Sequence, residues 1–355
     1  DSLARGEAPT WNPYHFGGHP SAADPQSLLF TPTMFAFAWA FPKASMQAFD
    51  AAVLAHLVGG GFGVLALFRM RRWAPEGALL AAMAFVLGGS ASARLQHTGM
   101  VFSYAFLPIA FALLETALDR RSKAWAAAFG VAAALMTLGR DQVAFLGGLT
   151  LVSYVAWRAV AAPSVWGYLR PRIGVLIVAA IVGAAILAVP TLLTLQLLAA
   201  SNRPAIAFGV AVTGSLAPVN LATLLSPNIF GSLNWDYSYF GPGYETSPEP
   251  DWTDRNVNYL YLGLVPAVLF VWHGLAGRRL LDNGARFFVL LALLALIYAI
   301  GRATPLFAWA FDLMPGVALY RRPADATFLL NFALSICAGY LLHRYIRDGA
   351  PRVDW

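Results

Sequence analysis

The fold class predicted for this chain is an all-α, polytopic integral membrane protein, and three observations carry that prediction. Nine apolar stretches recur along the 355 residues, and the cations crowd into the short loops between alternate stretches. The composition, 59% hydrophobic and 12% charged with mean hydropathy +0.61, leaves too little polar surface for a soluble globule of this size.

The elements follow in order. Residues 1–45 are too long and too polar for a simple connector and read as the first external loop. Within them Leu28 to Phe41 forms an apolar run of about 14 residues, broken by Pro32, that reads as an interfacial or re-entrant piece rather than a span. Apolar stretches then fall at 46–68, 76–93, 101–118, 124–138, 143–160 and 173–198, a six-helix region over 46–198. A large external loop, 199–256, precedes a three-helix region over 257–355 with stretches at 257–275, 287–300 and 326–345. Spanning a bilayer core takes about 20 apolar residues, with about 17 at the lower end. The stretches 124–138 and 287–300 are shorter than that and are read as spans with the rest. The whole chain is expected to be one transmembrane domain.

If all nine cross, alternate connections share a side. One side collects Arg69, Arg71 and Arg72; Arg120, Arg121 and Lys123; Arg158, Arg170 and Arg172; Arg278, Arg279 and Arg286; and Arg344, Arg347 and Arg352. Those 15 of the 24 cations lie in or beside roughly 45 residues of short loop, and the other 9 spread over roughly 140. The dense side is expected to be cytoplasmic. Because the cations mark loops, the net charge of +6 is no nucleic-acid signal, and no nucleic-acid partner is expected. The one cysteine, Cys337, lies in the last apolar stretch, so no disulfide framework exists and thiols do not identify the compartment. The chain opens at Asp1 in a polar loop without an initiator Met, which predicts a fragment lacking at least one preceding helix.

The other side holds the unusual residues. In loops 199–256 and 301–325 lie Arg203, Asp236, Glu245, Glu249, Asp251, Asp254, Arg255, Arg302, Asp312, Arg321, Arg322 and Asp325. Trp235, Tyr237, Tyr239, Phe240 and Tyr244 add aromatics that fit either an interfacial belt, the commoner case, or stacking surfaces for a sugar or lipid head group. Two tight turns are more informative: Ala93-Arg94-Leu95-Gln96-His97-Thr98 and Gly139-Arg140-Asp141-Gln142. Helix-end chemistry explains both, with Asp141 capping the next helix. A water-filled outer cavity explains them equally, since ionisable groups near membrane depth are usually functional. Asp50 and His56, six residues apart on the first long helix, point about 240° apart and cannot serve one ligand. Asp50 is expected at the outer interface and His56 packed against a neighbour. Gly59-Gly60-Gly61 lies inside an apolar stretch and suits close helix packing better than phosphate binding. No metal spacing, nucleophile elbow or phosphate loop is present.

The run Trp11-Asn12-Pro13-Tyr14-His15-Phe16-Gly17-Gly18-His19-Pro20, followed by Ala23-Asp24-Pro25-Gln26-Ser27, resembles the first external loop of YfhO-like bacterial membrane proteins, within the polytopic glycosyltransferases of the GT-C fold. Later stretches fit the same pattern in order. They are Arg94 to His97 with Leu107-Pro108, Gly139 to Gln142, Ser201-Asn202-Arg203, Gly214-Ser215-Leu216-Ala217-Pro218, Ser226-Pro227-Asn228-Ile229-Phe230-Gly231, Tyr259 to Leu264, and Tyr320-Arg321-Arg322-Pro323. Two departures stand out. Asp141 replaces the family's usual proline, and Ala324-Asp325 replaces a small residue followed by arginine, which weakens a phosphate-binding role for that turn.

The resemblance implies a GT-C-like arrangement in the bacterial cytoplasmic membrane. Its activity would be transfer of sugar from a polyprenyl-phosphate donor to a cell-envelope glycan or lipid acceptor at the extracytoplasmic face. It also implies that the principal catalytic carboxylate lies upstream of Asp1. Within the chain, Asp24, His97 and Asp141 are the catalytic candidates, and Asn12, His19, Gln26, Arg94, Arg140, Gln142, Arg321 and Arg322 the substrate-binding candidates. A leaving lipid phosphate develops charge that arginines stabilise, and a hydroxyl acceptor needs a carboxylate or imidazole, here Asp24, Asp141, His19 or His97, to take its proton. No cofactor is specified, and use of a divalent metal stays open. A transporter or flippase of a lipid-linked substrate is the alternative, although charges clustered in external loops rather than at the midplane speak against it. A non-catalytic scaffold descended from such a transferase is the third reading.

Overall fold

The computed structural model describes residues 5–14, 17–201, 206–232, 234, 238–243 and 253–350. It is all-helical: among the described residues the only β pairing is two isolated bridges, Asn12 with His19 and Gly231 with Tyr239. The longer helices are α1 (Pro32–Ala40), α2 (Met46–Arg71), α3 (Pro75–Leu87), the one-turn α4 (Gly89–Ser92), α5 (Thr98–Arg120), α6 (Lys123–Thr137) and α7 (Gln142–Val160). After them come the short α8 (Val165–Leu169), α9 (Ile173–Ala200), the one-turn α10 (Phe208–Ala211), α11 (Leu264–Val268), α12 (Arg286–Ala299), α13 (Pro305–Leu313) and α14 (Thr327–Asp348). Among the described residues five helical segments are long and apolar enough to cross a membrane: Met46–Arg71, Thr98–Arg120, Gln142–Val160, Val165–Ala200 and Pro323–Asp348.

Every apolar stretch is helical, but three boundaries differ from expectation. Pro32 does not break the 28–41 run; it occupies the first turn of α1, where its missing N–H costs nothing. The stretch 76–93 is interrupted at Gly88, whose backbone is extended. The side-chain amide of Asn331 donates to the carbonyls of Ala84 and Phe85, at 3.4 and 3.2 Å, which the break deprives of helical partners. The stretch 257–275 turns helical only at Leu264, after Gly263 with φ +114°, and α11 continues as a π-helix, Leu269–Ala276.

The helices divide into two compact units, each drawn from separated parts of the chain: residues 1–60 with 97–204, and 61–96 with 205–355. In the first unit α6 packs on α5 and α9, and α7 packs on α5. A lipid tail is as apolar as a leucine, so such helices associate through close approach rather than through the hydrophobic effect. Accordingly, small residues line the α6–α9 contact: Ala126, Val175 and Ala179 are buried there with Ala117, and a Cβ at Gly130 would stand 2.7 Å from the Ala179 carbonyl. In the second unit α14 packs on α3 and α12, and Gly77 and Gly339 face each other across the α3–α14 crossing with no room for a side chain on either.

Within each unit the loop cations gather at one end. In the first, Arg158 pairs with Asp119 at 2.6 Å, and Arg172 donates to the carbonyls of Leu118 and Tyr168 at 3.0 and 2.7 Å. In the second, Arg344 bridges Asp282 and Asp348, with Arg279 beside both. The opposite end of each unit carries the turns singled out from the sequence.

Candidate functional site

The first unit builds a polar cluster from the loop before α1 and the turn between α6 and α7. Asn12 and His19 exchange backbone hydrogen bonds at 2.7 and 2.8 Å, closing the loop between them. Gly18, with φ +120°, lies on the Trp11 ring, where a Cβ would come within 2.5 Å of the indole. This closure brings the His19 imidazole to the Asp24 carboxylate, Nε2 to Oδ2 at 3.0 Å, with about a quarter of each side chain still exposed (28% and 26%). The other Asp24 oxygen accepts from the Gln26 N–H at 2.9 Å and caps the turn Pro25–Ser27. Gln26 contributes its backbone here, and its side chain is exposed.

Arg140 fastens this loop to α9. Its guanidinium donates to the Pro190 carbonyl at 2.7 Å, to the Thr194 hydroxyl, and to the backbone carbonyl of Asp24 at 3.3 Å. Thr194 in turn donates to the Ala23 carbonyl at 2.8 Å. None of these acceptors is charged, so among the described residues no bonded carboxylate cancels the positive charge of Arg140. Burial pulls its pKa below the ordinary value, and the nearby Asp24 charge opposes that shift. Its Nε is buried without an acceptor. Arg140 also holds a left-handed backbone, φ +49°, a conformation that costs an ordinary residue about 1 kcal/mol or more.

Asp141 combines two roles. One oxygen caps α7 by accepting from the Ala144 N–H at 2.9 Å, and the other accepts from the Ser103 hydroxyl at 2.7 Å. The residue keeps some exposed surface, but its carboxylate is enclosed by Ser103, Gly139 and the helix start, and this desolvation holds its pKa above the usual carboxylate range. At Gly99 a Cβ would lie 3.8 Å from Asp141 and 3.9 Å from Leu28, so the start of α5 meets both the turn and the loop. His97 occupies the cap position of α5, and Gln142 is buried in the first turn of α7.

The second unit treats its candidates differently. Arg94 is fully buried and bonded on every side: to Asp325 at 2.8 Å, to the Thr327 hydroxyl at 2.6 Å and to the Ser90 carbonyl at 3.3 Å, with its guanidinium 4.1 Å above the Phe328 ring. Burial pushes its pKa down to about 10, against the pull of Asp325, and it stays charged at neutral pH. Expected as a substrate-binding cation, Arg94 is fully buried and ties the 88–96 turn to the start of α14. Arg321 is exposed and Arg322 half-exposed; Arg322 adopts φ +68° and its N–H donates to the Ala211 carbonyl at 3.2 Å.

Of the sequence candidates, His19, Asp24, Arg140 and Asp141 meet around one end of the first unit, with His97 and Gln142 on the adjoining helix starts; Asn12 closes the loop. Arg94, Arg321 and Arg322 belong to the second unit. Sequence reasoning missed Ser103, Pro190, Thr194 and Thr327. Pro190 and Thr194, one turn apart in the stretch where the apolar helix α9 also carries Thr191 and Gln196, are the pair that could have been noticed. Arg203, Trp235, Asp236, Tyr237, Tyr244, Glu245, Glu249 and Asp251 lie outside the described residues. Among the described residues no group of three or more His, Cys, Asp or Glu side chains could hold a metal ion. Compared with family models, with curated proteins and with solved structures, the chain matches none of them.

Proposed function

We propose that this chain is the membrane core of a glycosyltransferase that takes sugar from a polyprenyl-phosphate donor and passes it to a hydroxyl of a cell-envelope glycan or lipid at the extracytoplasmic face of a bacterial cytoplasmic membrane. In this reading all nine apolar stretches cross the bilayer in a GT-C-like arrangement, with the arginine-rich ends cytoplasmic. The observation that carries the reading is the His19–Asp24 pair, about a quarter exposed and held by Arg140 and Thr194 at the end opposite those arginines. Along α9 the 17 to 21 residues from Ile173 to Pro190 and Thr194 rise about 26–32 Å at 1.5 Å each, so the pair stands where a bilayer core of about 30 Å ends. A lipid-borne sugar and a polar acceptor meet at that depth.

The chemistry asked of the pair is general-base catalysis. Imidazole and carboxylate together take the acceptor hydroxyl proton as its oxygen bonds to the sugar C1. The C1–O bond to phosphate breaks, and the lipid phosphate leaves with the electron pair. Arg140, bonded among the described residues to neutral acceptors, supplies positive potential beside Asp24 during that step.

The test is transfer of labelled sugar from a polyprenyl-phosphate donor by purified protein in liposomes. Wild type transfers sugar, and Asp24→Asn lowers transfer roughly a hundredfold, within the range for a positioned base. Movement of the donor across the bilayer without cleavage of its sugar–phosphate bond would replace this reading with transport.

A further inference from the structure

The arginine-rich end of the first unit holds a second feature, unrelated to the polar cluster. Where the chain passes from α7 to α9 it folds back as α8, and a cavity of about 430 Å³ lies between the three helices, lined by apolar side chains alone. Val152, Val155, Ala156 and Val160 of α7 form one wall, and Val165 and Leu169 of α8 another. The α7 residues recur at helical spacing on one face, and the small Ala156 gives the slot its depth.

The slot is fixed in place by neighbours outside it. Ser164 caps α8 by accepting from the Gly167 N–H at 3.1 Å. Arg172 donates to the Tyr168 carbonyl, lies 3.9 Å from the Tyr168 ring and donates also to the Leu118 carbonyl, which ties the end of α8 to the end of α5. The cations around it are not equivalent. Arg158 is engaged with Asp119, and Arg172 with Leu118 and Tyr168. Arg170, next to the lining residue Leu169, is exposed, and its guanidinium makes no ion pair or hydrogen bond among the described residues. Trp166 on the same short helix is 63% exposed, the placement of an indole at a membrane interface.

We propose that this slot is a binding site for one anionic phospholipid, an acyl chain between α7 and α8 and the phosphate on Arg170. The lining offers no polar partner, so what enters must be hydrocarbon, and the exposed Arg170, next in sequence to the lining residue Leu169, favours a negative head group. A partner helix fits less well. The α7 wall runs only from Val152 to Val160, about 12 Å at 1.5 Å per residue, and α8 closes one side of it. The volume lies within the range of about 300–1,000 Å³ typical of small-ligand sites.

The test uses purified, delipidated full chain offered equal amounts of phosphatidylglycerol and phosphatidylcholine, with retained lipid counted by native mass spectrometry. One phosphatidylglycerol is retained in preference by roughly fivefold, the effect of one cation at a membrane surface. Arg170→Gln removes the preference while lipid of either kind still binds, and Arg121→Gln, at the same end but away from the slot, leaves it intact. Ala156→Phe fills the slot and lowers retention of both lipids; Val160→Trp, on the exposed rim, does the same without touching the interior of the unit. Equal retention of both lipids by wild type, equal effects of Arg170→Gln and Arg121→Gln, or unchanged retention in both filling variants would each overturn the proposal. The readout is lipid retention, so it stands or falls independently of sugar transfer.

Discussion

Arg94 and Arg140 occupy similar places in the sequence, each in a tight turn between apolar helices at the arginine-poor end, and the fold gives them opposite treatment. Arg94 is sealed from solvent with a carboxylate, a hydroxyl and a carbonyl around it. Arg140 is half-buried and meets only neutral acceptors, two of them backbone carbonyls. The first charge is neutralised inside the protein and does structural work. The second bonds neutral acceptors among the described residues and meets a negative charge only at a distance, from Asp24 of the partly exposed histidine–aspartate pair. An arginine in a membrane turn is therefore not by itself a ligand-binding group; its counter-ion decides.

The comparison breaks most sharply at Arg94. Removing one member of a buried ion pair strands the other charge and costs about 3–5 kcal/mol, so Arg94→Ala is expected to lower the thermal midpoint in detergent severely and to cut the yield of folded protein. The double variant Arg94→Met with Asp325→Leu should recover much of that loss, because a matched apolar pair removes the stranded charge. Arg140→Ala should do the reverse: near-normal yield, with sugar transfer lower by roughly tenfold to a hundredfold, since a charge-assisted hydrogen bond is worth about 1.5–3 kcal/mol. Arg140→Lys restores only part, because a point charge cannot reach three acceptors set out for a planar fork. If Arg94→Ala and Arg140→Ala unfold the protein alike, the distinction between the two sites fails.

Asp141 sharpens the comparison by pH. Burial raises its pKa in the folded protein, so the fold favours its protonated form. The stability this contributes is fully present below the unfolded pKa of about 3.9 and is lost as pH rises through the folded value. Asp141→Asn keeps a capping oxygen but cannot ionise. The wild type's advantage over it in thermal midpoint should therefore shrink from pH 4 to pH 7; an advantage that grows with pH would contradict the buried placement. The smallest effect is expected at Thr194→Val, which removes the hydrogen bond to the Ala23 carbonyl and one of the three Arg140 acceptors, leaving the Pro190 and Asp24 carbonyls. A loss of about 1 kcal/mol, or roughly fivefold in transfer, is expected there.

Helix placement was legible because each apolar stretch carries its own signal of length and composition. The interruptions were not. Gly88 lies in sequence that stays small and apolar, and the side chain that satisfies the broken turn, Asn331, is more than 240 positions away. The same distance hides the fate of Arg94, whose partner Asp325 is equally remote and read as a departure from a motif rather than as a counter-ion. The His19–Asp24 pair was within reach because its members are five residues apart and a single loop closure joins them. Arg140 fell between these cases: the turn was conspicuous, but its acceptors, a proline carbonyl and a threonine in the middle of a long apolar helix, carry no mark of a polar role.

One further property follows from the length of α9. Its 28 residues rise about 42 Å, roughly 12 Å more than a hydrocarbon core of about 30 Å, and few of them are covered by protein. The surplus turns begin at about Thr194, one turn beyond Pro190, and Thr194 and Arg140 hold there the loop carrying His19 and Asp24. A thicker membrane would draw those turns towards its interior, and a thinner one would leave them standing in water or tilt the helix to keep them wetted. The height of the polar cluster relative to the lipid would then follow the acyl chains around it, and a change of bilayer thickness would change how far the cluster is wetted.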